Sequence, residues 1–317
     1  MDTIHRFLFE DLDIRGGIVR LGPAWRSMCN VRHYAPATRN LLGELAAVTT
    51  LIGSHLKTPG RVRFQLQGTG PVSLLVMDCD EQLRLRGMAR SALEETAPFL
   101  TKEIRSDAFS PARSAESPRG VSTFLAPAAT GAPPTAKDLL GDGQLMLTLQ
   151  TAKGEPYQSL VPNDGDTMAQ IFEHYLTQSE QLASRLWLAA DGETACGLFL
   201  QKLPDADLRD IDGWNRIEQL ASTVTASELA LPAETLLTRL FNQENIRLYP
   251  ARNVTWHCPR DEEKIRNLLL TMGRDEVADM LEDAQEIAIS DEICGHEYRF
   301  GPEIIDELFP PAGRSLH

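Results

Sequence analysis

A long apolar helix followed directly by alternating strands is the feature that most limits how this chain can fold. The run ATRNLLGELAAVTTLIGSHLK, from Ala37 to Lys57, carries its apolar residues mostly at helical spacing and is ended by Pro59 and Gly60. The next stretch, RVRFQLQGTGPVSLLVMDCDEQLRLRG, alternates apolar with polar residues. It predicts a hairpin, with a third strand beginning near Leu83. The change of period predicts strands around one buried helix, and hence an α+β fold.

The rest of the chain divides by composition. We predict a mixed sheet-and-helix domain over residues 1–203, a helical linker over 204–250 and a small C-terminal αβ unit over 251–317. Within the first domain, residues 107–137 are rich in Ala, Ser, Pro and Gly and carry five of the 19 prolines, which predicts a disordered insert. After the insert we expect two strands, a helix and a closing pair of strands. The helix is marked by Met168, Ile171, Phe172 and Tyr175, and the closing strands by Arg185–Ala190 and Cys196–Leu203.

The linker carries two narrow apolar stripes at helical spacing, separated by Pro232. Isolated helices of about 12 residues are marginal in water, so these helices must dock against another part of the protein. The stripes consist of Trp214, Ile217, Leu220, Ala221 and Val224, and of Leu236, Leu237, Leu240 and Phe241.

Charge and hydropathy exclude several classes of partner. The 317-residue chain has 45 acidic and 31 basic residues, a formal charge of −14, which repels nucleic acid and anionic lipid. No apolar run approaches the roughly 20 residues of a membrane span, and the N-terminus lacks a signal-peptide pattern. We therefore predict a cytoplasmic protein, in which the five cysteines would be reduced by default.

Cys258 and Cys294 each lie where a predicted strand meets a turn, which is common for zinc ligands in small domains. A complete site would need Cys-x-Cys or Cys-x-x-Cys at both places, but Trp256 and Asp291 occupy the expected first positions.

His257, Asp291 and His296 are nearby alternative ligands. A zinc site of Cys258, Cys294, Asp291 and a histidine such as His257 is one alternative. Free thiols, which we favour, are another, and a single disulfide is a third if the two Cα atoms lie within about 7 Å.

Seven segments, in order, resemble the heat-shock protein 33 family of redox-regulated holdase chaperones. They are HRFLFEDLDIRGGIVRL, LLGELAAVTTLIGSHLK, RVRFQLQGTGPVSLLVMDCD, GDTMAQIFEHYLTQSEQL, GLFLQKLP, CPRDEEKIRNLLLTMGRDEVADMLEDAQEI and CGHEYRF. The resemblance implies an α+β substrate-binding domain, a helical linker folded over it and a C-terminal four-cysteine zinc domain. It also implies unfolding proteins as clients and a homodimer on activation.

The resemblance places Cys258 and Cys294 on the second cysteine of each close pair of the family. Trp256 and Asp291 depart from that pattern, so the two disulfides by which the family is switched cannot form within the pairs. We expect an ATP-independent holdase that is not an enzyme, with a weakened or altered redox switch at Cys258 and Cys294 and greater reliance on heat.

Two other classes of function compete with this interpretation. A cysteine-dependent enzyme would need a base beside its thiol, but neighbouring side chains on a strand, such as those of His257 and Cys258, point to opposite faces. The sequence also contains no GxSxG, P-loop or HExxH motif. A constitutive zinc-binding adaptor would need the ligands that are missing at Trp256 and Asp291.

Overall fold

The structure is a computed structural model that describes residues 1–56, 60–93, 133–151 and 155–310. Most of the predicted insert, residues 107–132, lies outside this range. Its last residues are described, and a helix begins at Ala136. No helix in the described part of the chain is long and apolar enough to cross a membrane.

The described residues form strands and helices throughout, which confirms the α+β prediction. The strands are β1 Thr3–Phe9, β2 Ile14–Leu21, β3 Gly60–Gly68, β4 Val72–Cys79, β5 Arg84–Ser91, β6 Gly143–Thr151, β7 Tyr157–Pro162, β8 Ser184–Ala190, β9 Ala195–Lys202, β10 Ile246–Leu248, β11 Arg252–Asn253, β12 Thr255–Trp256, β13 Ile287–Ser290 and β14 Glu297–Phe300. The helices are α1 Pro23–Cys29, α2 Pro36–Ser54, α3 Ala136–Leu140, α4 Met168–Glu180, α5 Ala206–Arg209, α6 Gly213–Ala221, α7 Ala226–Leu229, α8 Ala233–Leu240, α9 Glu262–Met272, α10 Arg274–Ala284 and α11 Glu303–Leu308.

Two sheets enclose α2. The first sheet has the order β10-β1-β2-β9-β8, with β11 also paired to β1, and the second has the order β12-β5-β4-β3-β6-β7. Helix α2 contacts β2, β8 and β9 of the first sheet and β3, β4 and β5 of the second. Leu42, Leu45, Val48 and Leu51 are fully buried between them. A helix buried by a sheet on either side needs apolar residues around most of its circumference, as the sequence predicted.

Buried apolar residues form three clusters. The largest surrounds α2 between the two sheets. The second lies on the opposite face of the first sheet, under the predicted linker. The third joins α9, α10, α11, β13 and β14 in a small terminal unit.

Two residues take positions that the sequence patterns do not indicate. Cys29 ends helix α1, which begins at Pro23 because a proline is favourable in the first turn. Trp256 packs against the largest cluster rather than within the terminal unit. Strand β12 pairs with the edge strand β5. A strand of two residues is too short for its sequence pattern to reveal its partner.

Glu44 lies partly buried on α2, and burial raises the pKa of its carboxyl group to about 7. An unfolded glutamate ionises near pH ~4.3, so between the two values the folded state holds a proton that the unfolded state has lost. The wild-type protein therefore loses stability as the pH rises from ~4.5 to ~7. Glutamine does not ionise, so we predict that Glu44→Gln avoids this loss. The gain in free energy of unfolding over wild type should be about 1 to 3 kcal/mol larger at pH 8 than at pH 4.5. Urea unfolding of both proteins at each pH measures this difference, and equal gains at the two pH values would contradict it.

Candidate functional site

One face of the first sheet is apolar over three adjacent strands. Side chains alternate between the faces of a strand, so every second residue of β1, β2 and β9 points away from α2. The residues on this outer face are buried and belong to the second cluster: Phe7, Phe9, Ile14, Ile18, Cys196, Leu198 and Leu200. We call these seven residues the outer face.

The aromatic rings of the outer face are packed closely. Phe7 lies directly opposite Gly16 in the β1–β2 register, and a Cβ atom at Gly16 would overlap the Phe7 ring. The ring of Phe7 meets that of Phe9 edge-on at 5.7 Å between centroids. Phe9 in turn meets Phe241 of the linker at 5.1 Å. The glycine therefore lets one aromatic ring lie flat on the sheet, beneath the linker.

The predicted linker covers the outer face as a series of short helices, α5 to α8, which we call the cover. The stripe residues Trp214, Ile217 and Ala221 of α6 are buried, while Leu220 is partly exposed. The second stripe, Leu236, Leu237, Leu240 and Phe241, is also buried. Leu208 and Ile211 point the other way and are each 84% exposed. Only one side of the cover is therefore anchored by apolar contact.

A few ion pairs attach the edge of the cover to the sheet. The Arg185 Nε atom of β8 donates to Glu218 of α6 at 2.6 Å, and Lys202 of β9 lies 2.6 Å from Asp207. Burial raises the pKa of Glu173, which accepts a hydrogen bond from the Leu186 amide at 2.7 Å and lies 3.9 Å from Arg185. Partly exposed pairs of this kind contribute about 0 to 1 kcal/mol each, so apolar burial provides most of the attachment.

The second candidate site is the cysteine pair. Cys258 follows β12, Cys294 lies in the turn between β13 and β14, and the two form a disulfide across a sequence separation of 36. Their Cα atoms are 5.8 Å apart, within the usual range for such a bond. Of the three alternatives left open by the sequence, the structure has the single disulfide and not the favoured free thiols.

Two of the other predicted zinc ligands, Asp291 and His296, make side-chain hydrogen bonds in this arrangement. The Asp291 Oδ1 atom accepts hydrogen bonds from the amides of Ile293 at 2.9 Å and Cys294 at 3.4 Å, which shapes the turn. His257 is exposed, and its amide donates to the Leu85 carbonyl at 2.9 Å. His296 Nε2 lies 2.8 Å from the Cys258 carbonyl oxygen.

These residues do not fit a zinc ion as they are arranged. Zinc binds cysteine as a thiolate, whereas both sulfurs here are bonded to each other. Within the part of the chain that the structure describes, no three His, Cys, Asp or Glu side chains are grouped to share a metal. Zinc at Cys258, Cys294, Asp291 and His257 stays a prediction for the reduced chain.

The remaining cysteines are poor candidates for chemistry. Burial raises the pKa of the Cys29 and Cys79 thiols to about 12, and it also raises the pKa of Cys196. Since the thiolate is the reactive form, these raised pKa values disfavour reaction of the three thiols at neutral pH. Cys258 and Cys294 stay the predicted redox pair.

The fold and the sites together define a class of α+β protein in which helices of the same chain cover an apolar sheet face. A disulfide at a small terminal unit is its second feature. Residues 2–301 match the family described as Hsp33 protein. The 33 kDa chaperonin of Vibrio cholerae is 34% identical over 324 residues, covering 100% of this chain and 99% of the relative. That of Methylobacillus flagellatus is 35% identical over 312 residues, covering 97% and 94%. The chain belongs to the Hsp33 family of chaperones, which confirms the resemblance.

A solved structure supports the fold independently. The crystal structure of the 33 kDa chaperonin (heat shock protein 33 homolog) from Thermotoga maritima superposes with a TM-score of 0.76 and covers 97% of both chains at 19% sequence identity. At that identity the likeness concerns the fold alone.

The disulfide predicts a definite number of free thiols. In denaturant without reductant, we expect an alkylating agent to modify Cys29, Cys79 and Cys196 only, and all five cysteines after reduction. Intact-mass spectrometry counts the added groups. The Cys258→Ser variant is the matched control, because it frees Cys294 and should add one modified thiol without reductant. Five modified thiols in the unreduced wild-type protein would contradict the bridge.

Proposed function

We propose that this protein is an ATP-independent holdase that binds unfolding proteins and prevents their irreversible aggregation under stress, with heat as a stronger trigger than oxidation. The observation that carries the proposal is the apolar outer face and its thin helical cover. A broad apolar surface binds exposed apolar segments of many sequences, because burial of apolar area does not depend on direction or on specific hydrogen bonds.

The cover is suited to dissociate from the outer face before the core unfolds. Its helices have four to nine residues, which is too short for stability apart from the sheet. Helix α2, by contrast, is buried between two sheets. Segments with fewer buried contacts open at lower free energy than the core, so stress should expose the outer face while the sheets persist.

The proposed partners and setting follow from this surface. The clients are unfolded or partly unfolded proteins, and two activated copies would form a homodimer that buries part of the uncovered faces. The charge of −14 makes nucleic acid and anionic membranes unfavourable partners. We place the activity in the cytoplasm. Zinc at the reduced cysteine site is the one cofactor left open, and metal analysis of the reduced protein tests whether it is retained.

We further propose that the redox switch of the family is altered here. Trp256 and Asp291 occupy the positions from which close-pair disulfides would form, so oxidation can join only Cys258 with Cys294. A cysteine-dependent enzyme is less well supported, because neither sulfur is a free nucleophile while the two are bonded.

A charge placed under the cover should activate the chaperone. Ile217 on α6 is fully buried, and Ile217→Asp removes an apolar contact worth about 2 to 3 kcal/mol, which favours the open cover by roughly 30-fold or more. We expect suppression of client aggregation at temperatures where the wild-type protein is inactive, measured by light scattering without ATP. Leu208→Asp is the matched control, because Leu208 is exposed in the same linker. Equal activity of Ile217→Asp and wild type would contradict the role of the cover.

Heat and peroxide should differ in their effect on this chain. We expect warming to activate aggregation suppression, because it weakens the attachment of the short helices. Peroxide at moderate temperature should not, because the paired disulfides that trigger the family cannot form. The same scattering assay after each treatment, with alkylated protein as the control, measures the difference. Strong activation by peroxide in the cold would contradict the altered switch.

A further inference from the structure

The turn that carries Cys294 docks on the large domain. Arg90 Nη2 on β5 donates hydrogen bonds to both carboxylate oxygens of Glu292, at 2.8 and 2.7 Å. Arg32, which follows α1, donates to the Glu292 carbonyl oxygen. Gly295 has a positive φ of 67°, and a Cβ atom there would lie 2.9 Å from Val31. One charged side chain and one close backbone approach thus hold the turn against the core.

The segment that carries Cys258 docks on the same strand at its other end. Thr255 and Trp256 pair in parallel with Arg84 and Leu85 of β5. The pairing extends to His257, whose amide donates to the Leu85 carbonyl at 2.9 Å. The segment that carries Cys258 therefore contacts β5 near the beginning of the strand, and the turn that carries Cys294 contacts it near the end. The disulfide joins these two segments.

The position of this bridge couples the terminal unit to the cover. The chain leaves the cover after α8 and is tied to the core by β10 and β11 on β1, then by β12 on β5, immediately before Cys258. If the turn at Glu292 detaches from β5, the disulfide still keeps the turn beside β12. If β12 separates from β5, the docked turn still keeps Cys258 near the strand. Each attachment keeps the other at high local concentration.

We propose that the Cys258–Cys294 disulfide is a clasp that fastens the terminal unit and the end of the linker to β5, so that reduction loosens the cover and oxidation tightens it. This inference rests on the proposed holdase function and assigns its regulation. The polarity is the reverse of a switch in which disulfide formation unfolds the linker, because the bridge closes a long loop and constrains the unfolded state of the terminal unit.

The chemistry of the clasp is a two-electron exchange. On closing, each thiol loses one proton and one electron, the S–S bond forms, and a peroxide oxidant is reduced to two molecules of water. On opening, the thiolate of a dithiol reductant attacks one sulfur and displaces the other cysteine as a thiolate. The second thiol of the reductant then releases the remaining cysteine and completes the disulfide of the reductant.

Hydrogen exchange on the full-length protein, oxidised and reduced, tests the clasp directly. Since the bridge spans a sequence separation of 36, we expect amides in β5, β12 and the β13–β14 hairpin to exchange more than about tenfold faster after reduction. The double variant Cys258→Ser with Cys294→Ser should behave like the reduced protein under either condition. Unchanged exchange on reduction would overturn the proposal.

Substitutions at the docked turn separate docking from local stability. Glu292→Gln removes the ion pair with Arg90 and should speed exchange at β5 while leaving the disulfide intact. Glu286→Gln is the matched control, because the Glu286 carboxylate pairs with Arg299 inside the terminal unit. Equal effects of the two variants on β5 would overturn the role of Glu292.

Light scattering on the same samples tests the regulation. We expect the reduced protein to suppress client aggregation at a lower temperature than the oxidised protein. Faster exchange without any change in that temperature would overturn the regulatory role. If neither form suppresses aggregation at any temperature, the proposed holdase function fails, whereas the exchange experiment still decides whether the clasp exists.

Discussion

The contact between the outer face and the linker helices is the interaction on which the other features of this molecule depend. It buries Phe7, Phe9 and their neighbours on one side and the stripes of α6 and α8 on the other. Neither surface is stable in water alone, since the helices are too short and the sheet face is apolar. The contact therefore stabilises the fold, and it also buries the apolar surface that is proposed to bind client proteins.

The strength of the contact is limited by how the linker is built. Helix α2 presents apolar residues to two sheets, whereas α6 and α8 present one stripe each and leave polar residues in solvent. Arg216 illustrates the balance, because its guanidinium bonds Glu244 at 2.9 Å and Asp210 at 3.0 Å within the linker rather than reaching the sheet. Such pairs help the linker to keep its shape without fixing it to the core. A cover of this kind is ordered at rest and still separable from the domain beneath it.

Local periodicity was sufficient to predict much of this architecture. The α2 helix, the β3–β4 hairpin and the linker stripes were predicted because their spacing matches the period of the element they form. Contacts between distant segments have no such signal. Arg90 and Glu292 are 202 residues apart, and nothing in either neighbourhood indicates the other. The same limit applies to Trp256, whose two-residue strand joins a sheet built by the first domain, and to the disulfide, which the sequence could only leave as one of three alternatives.

The positions of Trp256 and Asp291 explain why the cysteine pair has a different physical effect from close-pair bridges. A disulfide between residues two or three apart closes a tight loop and restricts the unfolded chain little, while it removes thiolates from a metal site. A bridge from Cys258 to Cys294 instead spans the whole of α9, α10 and β13. It leaves Asp291 to shape the turn and Trp256 to pack on the core. Because those two side chains make structural contacts, cysteines placed at both positions would remove these contacts as well as supply ligands.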